Sequence, residues 1–401
     1  MDGIPSDVRA LRRRAPAPRL PRARKVAVKT FAVRLATVLL TVWYALCRLF
    51  PIRDQIVCIS RQSDQEPLDF QLIRAYFQKE WPSWRVVVMA NTLKSPLSYV
   101  PVMLRQVFFI ATSRAVVLDS YCIVVSLLGH RIKAPVVQIW HALGNMKKFG
   151  YTALDTDEGH SSATASLMHM HEGYDAVAVS SLSFAEDLAA GFNVDPGILF
   201  EAPLPRVDLL LDKSNRATQR ETLQRAYPAL KDKRVIVYCP TFRKKEPPNE
   251  KEAMAALLNA IDFSRYAFVF KPHPVSTQII DDPRVLRIDD ASLDPLYVAD
   301  YVISDYSTVM YEAGLLGAPV FLYAYDWNDY HEKRAFNIDL EREVPALFTA
   351  DARQIMDAIE RDKFDDEAFG AFVARNIAVP EEGTCTAYLC HRIMSLVDQR
   401  R

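Results

Sequence analysis

Glycine is scarce, with 12 in 401 residues, and neither Gly-x-Gly-x-x-Gly nor Gly-x-x-x-x-Gly-Lys occurs. The dinucleotide fingerprint and the P-loop are therefore excluded. Cysteine is also sparse. Cys47, Cys58, Cys122, Cys239, Cys385 and Cys390 form none of the close pairs that a zinc site or a disulfide framework needs, which suits a reducing cytosol. Cys385, Cys390 and His391 fall in one C-terminal helical stretch and are read as packing residues rather than metal ligands. Net charge is absent too, since 49 Lys+Arg meet 49 Asp+Glu. That neutrality hides segregation: residues 1–53 hold 12 basic and 2 acidic side chains, leaving 37 against 47 for the remainder. A basic head on an acidic body argues against a nucleic-acid binder and for one anionic partner at the N-terminus.

Half of the chain is apolar and 24% is charged, enough to bury a large core in two domains. Arg9 to Lys29 is a basic run broken by Pro16, Pro18 and Pro21, and Leu35 to Cys47 follows without a charge. As a helix that apolar stretch reaches roughly 20 Å, short of the roughly 30 Å hydrocarbon core. It is expected to lie in a membrane interface, with Arg34 and Arg48 at its ends and the upstream arginines on anionic lipid. The alternative is a buried first helix behind a solvated tail. No small-residue cleavage site follows, because Cys47-Arg48-Leu49-Phe50-Pro51 is bulky and basic.

From Gln55 onward, short β-branched runs alternate with amphipathic stretches of helical length, the pattern of parallel sheets covered on both faces. Strands are expected at 55–60, 85–90, 115–119, 136–140, 175–180, 234–239, 267–271, 285–288, 301–304 and 319–323. The polar stretch 203–227 lacks a clear strand and separates the two series. The expected units are a tail with an interfacial helix (1–53), two α/β domains (54–205 and 206–380) and a last helix (381–401). Ligands of open α/β sheets bind beyond the carboxyl ends of strands, so a crevice between the domains is the expected site.

Chemistry-bearing clusters sit at expected strand ends. Gln138-Ile-Trp-His141 leads to Gly144 and to Lys147-Lys148, placing a base and two cations at one sheet mouth. Pro240-Thr241-Phe-Arg243 closes the first strand of the second series, where an arginine fork suits a phosphate. In Lys271-Pro272-His273-Pro274 the prolines hold the imidazole by its backbone. Ser304-Asp305-Tyr-Ser307-Thr308 runs into a helix that carries Glu312, offering hydroxyls and free N–H groups to a pyrophosphate and a carboxylate to a ribose. The structural alternatives are a core histidine, a solvated basic loop and a simple helix cap. Together the clusters describe removal of a group from a nucleotide diphosphate.

Those segments, with Tyr323-Ala-Tyr-Asp326 followed by Tyr330 and Arg334, occur in the order found in the CDP-glycerol glycerophosphotransferases of teichoic acid synthesis, which the chain resembles from about Val136 to Glu341. The resemblance implies a GT-B-type fold, a first domain on the acceptor side, a second that binds the CDP donor, and peripheral attachment to the cytoplasmic face of the membrane. It implies attack of an acceptor hydroxyl on the phosphorus of CDP-glycerol with release of CMP. The acceptor would be a lipid-linked saccharide or a polyol phosphate. His141 would take the proton and His273 would contact the donor phosphate. Arg243, Lys271, Ser307 and Thr308 would hold the diphosphate and Glu312 the ribose, with Thr241, Ser304, Asp305, Lys147 and Lys148 completing the substrate set. No cofactor is implied, and no carboxylate cluster calls for Mg²⁺. Ala142 replaces a common glycine, and Lys271 a common arginine, which keeps the charge but loses the fork. CDP-ribitol is the alternative donor. A GT-B glycosyltransferase on a nucleotide sugar and an inactive membrane scaffold are the competing functions.

Overall fold

The computed structural model describes residues 22–400, apart from 157, 158, 244, 246, 274, 275, 277, 289 and 291. Most of the basic tail and Pro274 therefore lie outside the described residues. The first sheet is parallel, in the order β2-β1-β3-β4-β5-β6. Its strands are β1 (Gln55–Ser60), β2 (Arg85–Ala90), β3 (Ala115–Leu118), β4 (Val136–Gln138), β5 (Ala176–Val179) and β6 (Leu199–Glu201). The second, also parallel, runs β12-β11-β10-β7-β8-β9. It comprises β7 (Arg234–Cys239), β8 (Tyr266–Phe270), β9 (Val285–Arg287), β10 (Tyr301–Ser304), β11 (Val320–Tyr323) and β12 (Phe348–Thr349).

The apolar runs became inner strands because helices cover both faces: β1, β3, β4, β5, β8, β10 and β11 are buried along their whole length. Edge strands β2 and β9 are partly exposed. Sequence patterning missed β6 and β12, which have three and two residues and so carry no run long enough to read. This is a GT-B-like fold of two Rossmann-like lobes. One cluster of buried side chains continues through both, from Ile56 and Val117 to Val237 and Val302.

Chain order and lobe membership differ at the C-terminus. The helix Cys385–Gln399 packs on α2 (Leu68–Glu80) of the first lobe. There His391 meets Trp81 at 5.2 Å between ring centroids, and its Nε2 lies 3.1 Å from the Tyr76 hydroxyl. Cys385 and Cys390 are buried in the same seam. Between the sheets, the helix Lys213–Ala226 ties to the second lobe through Arg220 on Asp300 at 2.9 Å.

The N-terminal helix corrects the length argument. Helix α1 spans Arg22–Cys47, and its segment Ala27–Cys47 has 21 residues of mean hydropathy 1.6. Its rise of about 31 Å matches a bilayer core, so length does not exclude spanning. Packing supplies the constraint instead. Leu40, Tyr44 and Cys47 are buried with α3 (Pro96–Thr112) and α4 (Ile123–Leu128), and Trp43 Nε1 donates to the Leu104 carbonyl at 3.0 Å. Helix α3 starts sharply because Ser95 caps the Ser98 N–H and Pro96 occupies the first turn.

Candidate active site

Strands β1, β3 and β4 are neighbours, so the residues just past their carboxyl ends converge. Gln138 pins the turn after β4: its side-chain oxygen accepts from Trp140 N at 2.9 Å, and its amide donates to Ser120 O at 3.2 Å and Tyr174 Oη at 3.1 Å. Trp140 is held at φ 59°, a left-handed conformation an aromatic residue adopts only under constraint. Its ring packs on His141 at 4.2 Å and on Phe149 at 4.9 Å between centroids.

His141 Nδ1 lies 3.0 Å from the Asp119 carbonyl oxygen. A carbonyl can only accept, so Nδ1 carries the proton and Nε2 keeps a free lone pair. Gln62 lies 3.3 Å from the same nitrogen, and this tautomer calls for its amide oxygen on that side. Burial depresses the His141 pKa to about 4, with Arg206 and His273 acting in the same direction against the Asp119 carbonyl and Asp69. The imidazole is neutral at pH 7 and able to accept a proton.

The second lobe brings His273 to the same crevice. His273 charge acts on His141, and the His273 pKa is itself lowered, by desolvation and then by Lys147 from the opposite lobe. Phe242 flanks the His273 ring at 5.8 Å. Lys147 Nζ sits 5.4 Å from the centre of the Tyr330 ring, and Lys148 N donates to Ala335 O at 3.0 Å, so both lysines lie on the seam between lobes.

Four residues expected at the substrate have protein partners in the structure. Arg243, expected to grip a diphosphate, is committed to carboxylates: Nε and Nη2 bind Asp326 at 2.7 and 2.8 Å, and Nη1 binds Asp305 at 2.8 Å and Thr241 O at 3.0 Å. Its charge is stacked among Tyr306, Tyr325 and Tyr330. Asp305 is fully buried and accepts from both the N–H and the hydroxyl of Thr241, at 2.8 and 2.7 Å. Ser304 is equally buried and donates to Cys239 O at 2.8 Å. The physical reason is that two buried carboxylates require a cation, and Arg243 supplies it. Through these bonds Arg243, Thr241, Ser304 and Asp305 brace the loops that follow β7 and β10.

The other residues expected at the donor are Lys271, Ser307, Thr308 and Glu312. Lys271 Nζ pairs with Asp294 at 2.6 Å; burial opposes its charge, but Asp294, Cys239 and Glu312 outweigh burial and raise its pKa. Ser307 Oγ accepts from Val309 N at 3.4 Å, and Thr308 occupies the cap of the helix Val309–Leu315. Glu312, expected at a ribose, reaches Arg206 Nη1 at 3.4 Å. Burial raises its pKa, and Arg206 and Lys271 pull it back.

Arg206 was missed by sequence reasoning. It opens the helix Arg206–Leu211, binds Asp69 through Nη2 at 2.6 Å and Nε at 3.0 Å, and donates to His141 O at 3.2 Å while touching Glu312. This one guanidinium links both lobes to the loop of the candidate base. A buried aspartate in the first turn of α2 was the available signal, but its partner lies 137 positions away.

At Gly144 the two lobes are tightly packed. Its φ is 63°, and a Cβ there would stand 2.5 Å from the Tyr311 ring. Tyr311 Oη in turn donates to Asn145 O at 2.8 Å. Gly144→Ala is expected to cost about 1–3 kcal/mol from backbone strain and displaced packing. Urea unfolding measures this, and an unchanged midpoint would contradict the packing.

Two parallel-sheet lobes meeting at a crevice, with a neutral histidine in one and cations and hydroxyls in the other, define a GT-B-like transferase architecture. The family model for CDP-glycerol:poly(glycerophosphate) glycerophosphotransferase matches residues 43–395, and the chain belongs to that family. It is 29% identical over 350 residues to a teichoic acid ribitol-phosphate primase of Bacillus spizizenii, covering 84% of this chain and 90% of that one. A teichoic acid glycerol-phosphate primase of the same organism is 26% identical over 72% of this chain and 75% of its own length. Among solved structures, the wall teichoic acid polymerase TagF superposes with a TM-score of 0.71 at 19% identity, over 93% of this chain and 98% of that chain. A putative UDP-N-acetylglucosamine 2-epimerase of Listeria monocytogenes shares the fold, with a TM-score of 0.54 at 13% identity, over 87% and 97%.

Proposed function

We propose that the protein transfers glycerol phosphate from CDP-glycerol to a hydroxyl of a lipid-linked or polyol-phosphate acceptor, releasing CMP. The acceptor oxygen attacks the phosphorus, its proton passes to His141 Nε2, and the bond from phosphorus to the CMP oxygen breaks. His273 contacts the transferring phosphate. Lys271, Ser307 and Thr308 hold the diphosphate, Glu312 reaches the ribose, and Lys147 and Lys148 supply charge from the facing lobe. The observation that carries this reading is the His141 tautomer, fixed by the Asp119 carbonyl, in a crevice it shares with His273 and Lys147.

CDP-ribitol is the second reading, favoured by the match to a ribitol-phosphate primase over nearly its whole length. Incubation with a lipid-linked acceptor and CDP-glycerol, CDP-ribitol or a UDP-sugar tests these alternatives. CMP release with CDP-glycerol is expected. Release with CDP-ribitol alone would select the second reading, and UDP release alone would reject both.

The His141 pKa gives a pH signature. The base form is required, so kcat/KM should fall only as pH drops toward about 4, the value for the free protein. A bound anionic donor stabilises the imidazolium and raises that pKa, moving the acid limb of kcat to higher pH. Coincident limbs in the two profiles would count against His141 as the base.

Membrane attachment at the cytoplasmic face belongs to the same proposal. Helix α1 exposes Phe31, Leu35, Val38, Leu39 and Val42 while burying its opposite side, and α3 exposes Leu97, Val100 and Leu104 beside it. That arrangement suits a helix lying in the interface.

A further inference from the structure

A cavity of 610 Å³ lies at the amino edge of the first sheet, opposite the crevice, where the chain enters β3, β4 and β5. Arg48, Arg114, His130, Lys133 and Arg400 line it against a single carboxylate among the described residues, Asp175. Asp175 is already paired with Arg400, and Arg114 pairs with Asp54 at 2.6 Å. Among the described residues, the side chains of Arg48, His130 and Lys133 are exposed and make no hydrogen bond or ion pair. Positive charge is thus left over on one wall of a cavity large enough for a small anion.

The rim is apolar. Leu49 is 82% exposed, and Leu46, Phe50 and Ile52 are exposed beside it, next in sequence to Arg48. Phe50 rests edge-on against Phe108 of α3 at 5.6 Å, and so holds this turn against the two-helix apolar strip. Tyr44 fastens α1 at the cavity, its hydroxyl accepting from Lys133 N at 3.0 Å. A soluble anion would satisfy the cations but leave the rim in water. A phospholipid satisfies both, with its phosphate among the donors and its acyl chains against the rim.

We propose that this cavity binds the phosphate headgroup of an anionic phospholipid, with Leu49, Phe50 and Ile52 entering the acyl layer. The site fixes the carboxyl end of α1 at headgroup depth and so sets how the first lobe lies on the membrane. It deepens the membrane reading of α1 and does not depend on the transfer chemistry.

The test is flotation of the full chain with phosphatidylcholine vesicles, with and without phosphatidylglycerol. Wild type should require phosphatidylglycerol. R48Q/K133Q should lose about tenfold in partitioning, whereas R34Q/R105Q, which removes equal charge from exposed positions of α1 and α3 outside the cavity, should lose far less. Transfer to a soluble acceptor by R48Q/K133Q should match wild type and so report an intact fold. Equal losses in the two double variants overturn the cavity while leaving membrane attachment standing. Failure of wild type to float overturns both. Displacement by free glycerol 3-phosphate at matched phosphate concentration assigns the cavity to a soluble ester and overturns the lipid proposal.

Discussion

His141→Ala should lower kcat for polyol-phosphate transfer by about 10²–10⁴, the range for removal of a general base. Donor affinity should change little, because in the proposed transfer the side chain meets the acceptor hydroxyl rather than the nucleotide. His141→Asn is the informative companion: its amide can still donate to the Asp119 carbonyl and fill part of the space against Trp140, yet it cannot accept a proton at pH 7. Both variants should therefore be equally inactive while the second keeps more of the wild-type stability. Single-turnover CMP release checks the chemical step, and near-wild-type turnover by either variant would remove His141 from the mechanism. His273→Ala should instead raise the donor KM together with its effect on kcat, since the proposed role of that imidazole is to contact the donor phosphate from the other lobe.

Arg243→Ala should destabilise the protein by about 3–5 kcal/mol, because it leaves two buried carboxylates uncompensated. The Arg243 side chain is 9% exposed, and those of Asp305 and Asp326 are 0% and 3% exposed. The removed cation also leaves three tyrosine rings, whose centres lie between 5.3 and 5.7 Å from it. Arg243→Lys keeps the charge but cannot bridge both carboxylates in a planar fork, so an intermediate loss is expected. Asp326→Asn in the alanine background should recover part of the loss by removing one unpaired charge. Urea denaturation distinguishes bracing from ligand binding: a diphosphate ligand would lower donor affinity at unchanged stability, whereas the brace lowers the unfolding midpoint without donor present.

Inner strands were legible because complete burial forces continuous apolar runs, as in Ile56–Val57–Cys58–Ile59, and the helices between them carried a different period. Both candidate histidines were legible because each directly follows a strand in a short, conformationally constrained segment. Arg243 was recognised as an important cation, but the carboxylates that hold it were not. From the sequence a strand-end arginine reads as a phosphate fork, since Asp305 and Asp326, the groups that neutralise it, lie 62 and 83 positions away. Helix α1 was read as too short because charged residues upstream of Leu35 were taken to end it, whereas a helix tolerates Lys29 and Arg34 on its exposed side.

The sequence by itself determined the longer elements, their parallel arrangement and the residue types at strand ends, because backbone propensity and burial act over a few neighbouring residues. Only the tertiary structure decided which charges remain for a ligand. Ion pairing in a low-dielectric interior depends on groups brought together from distant segments: Arg206 joins Asp69 and Glu312 across the lobes, Arg243 is consumed by two carboxylates, and Arg48 and Lys133 are left without an ion pair among the described residues at the amino edge of the first sheet.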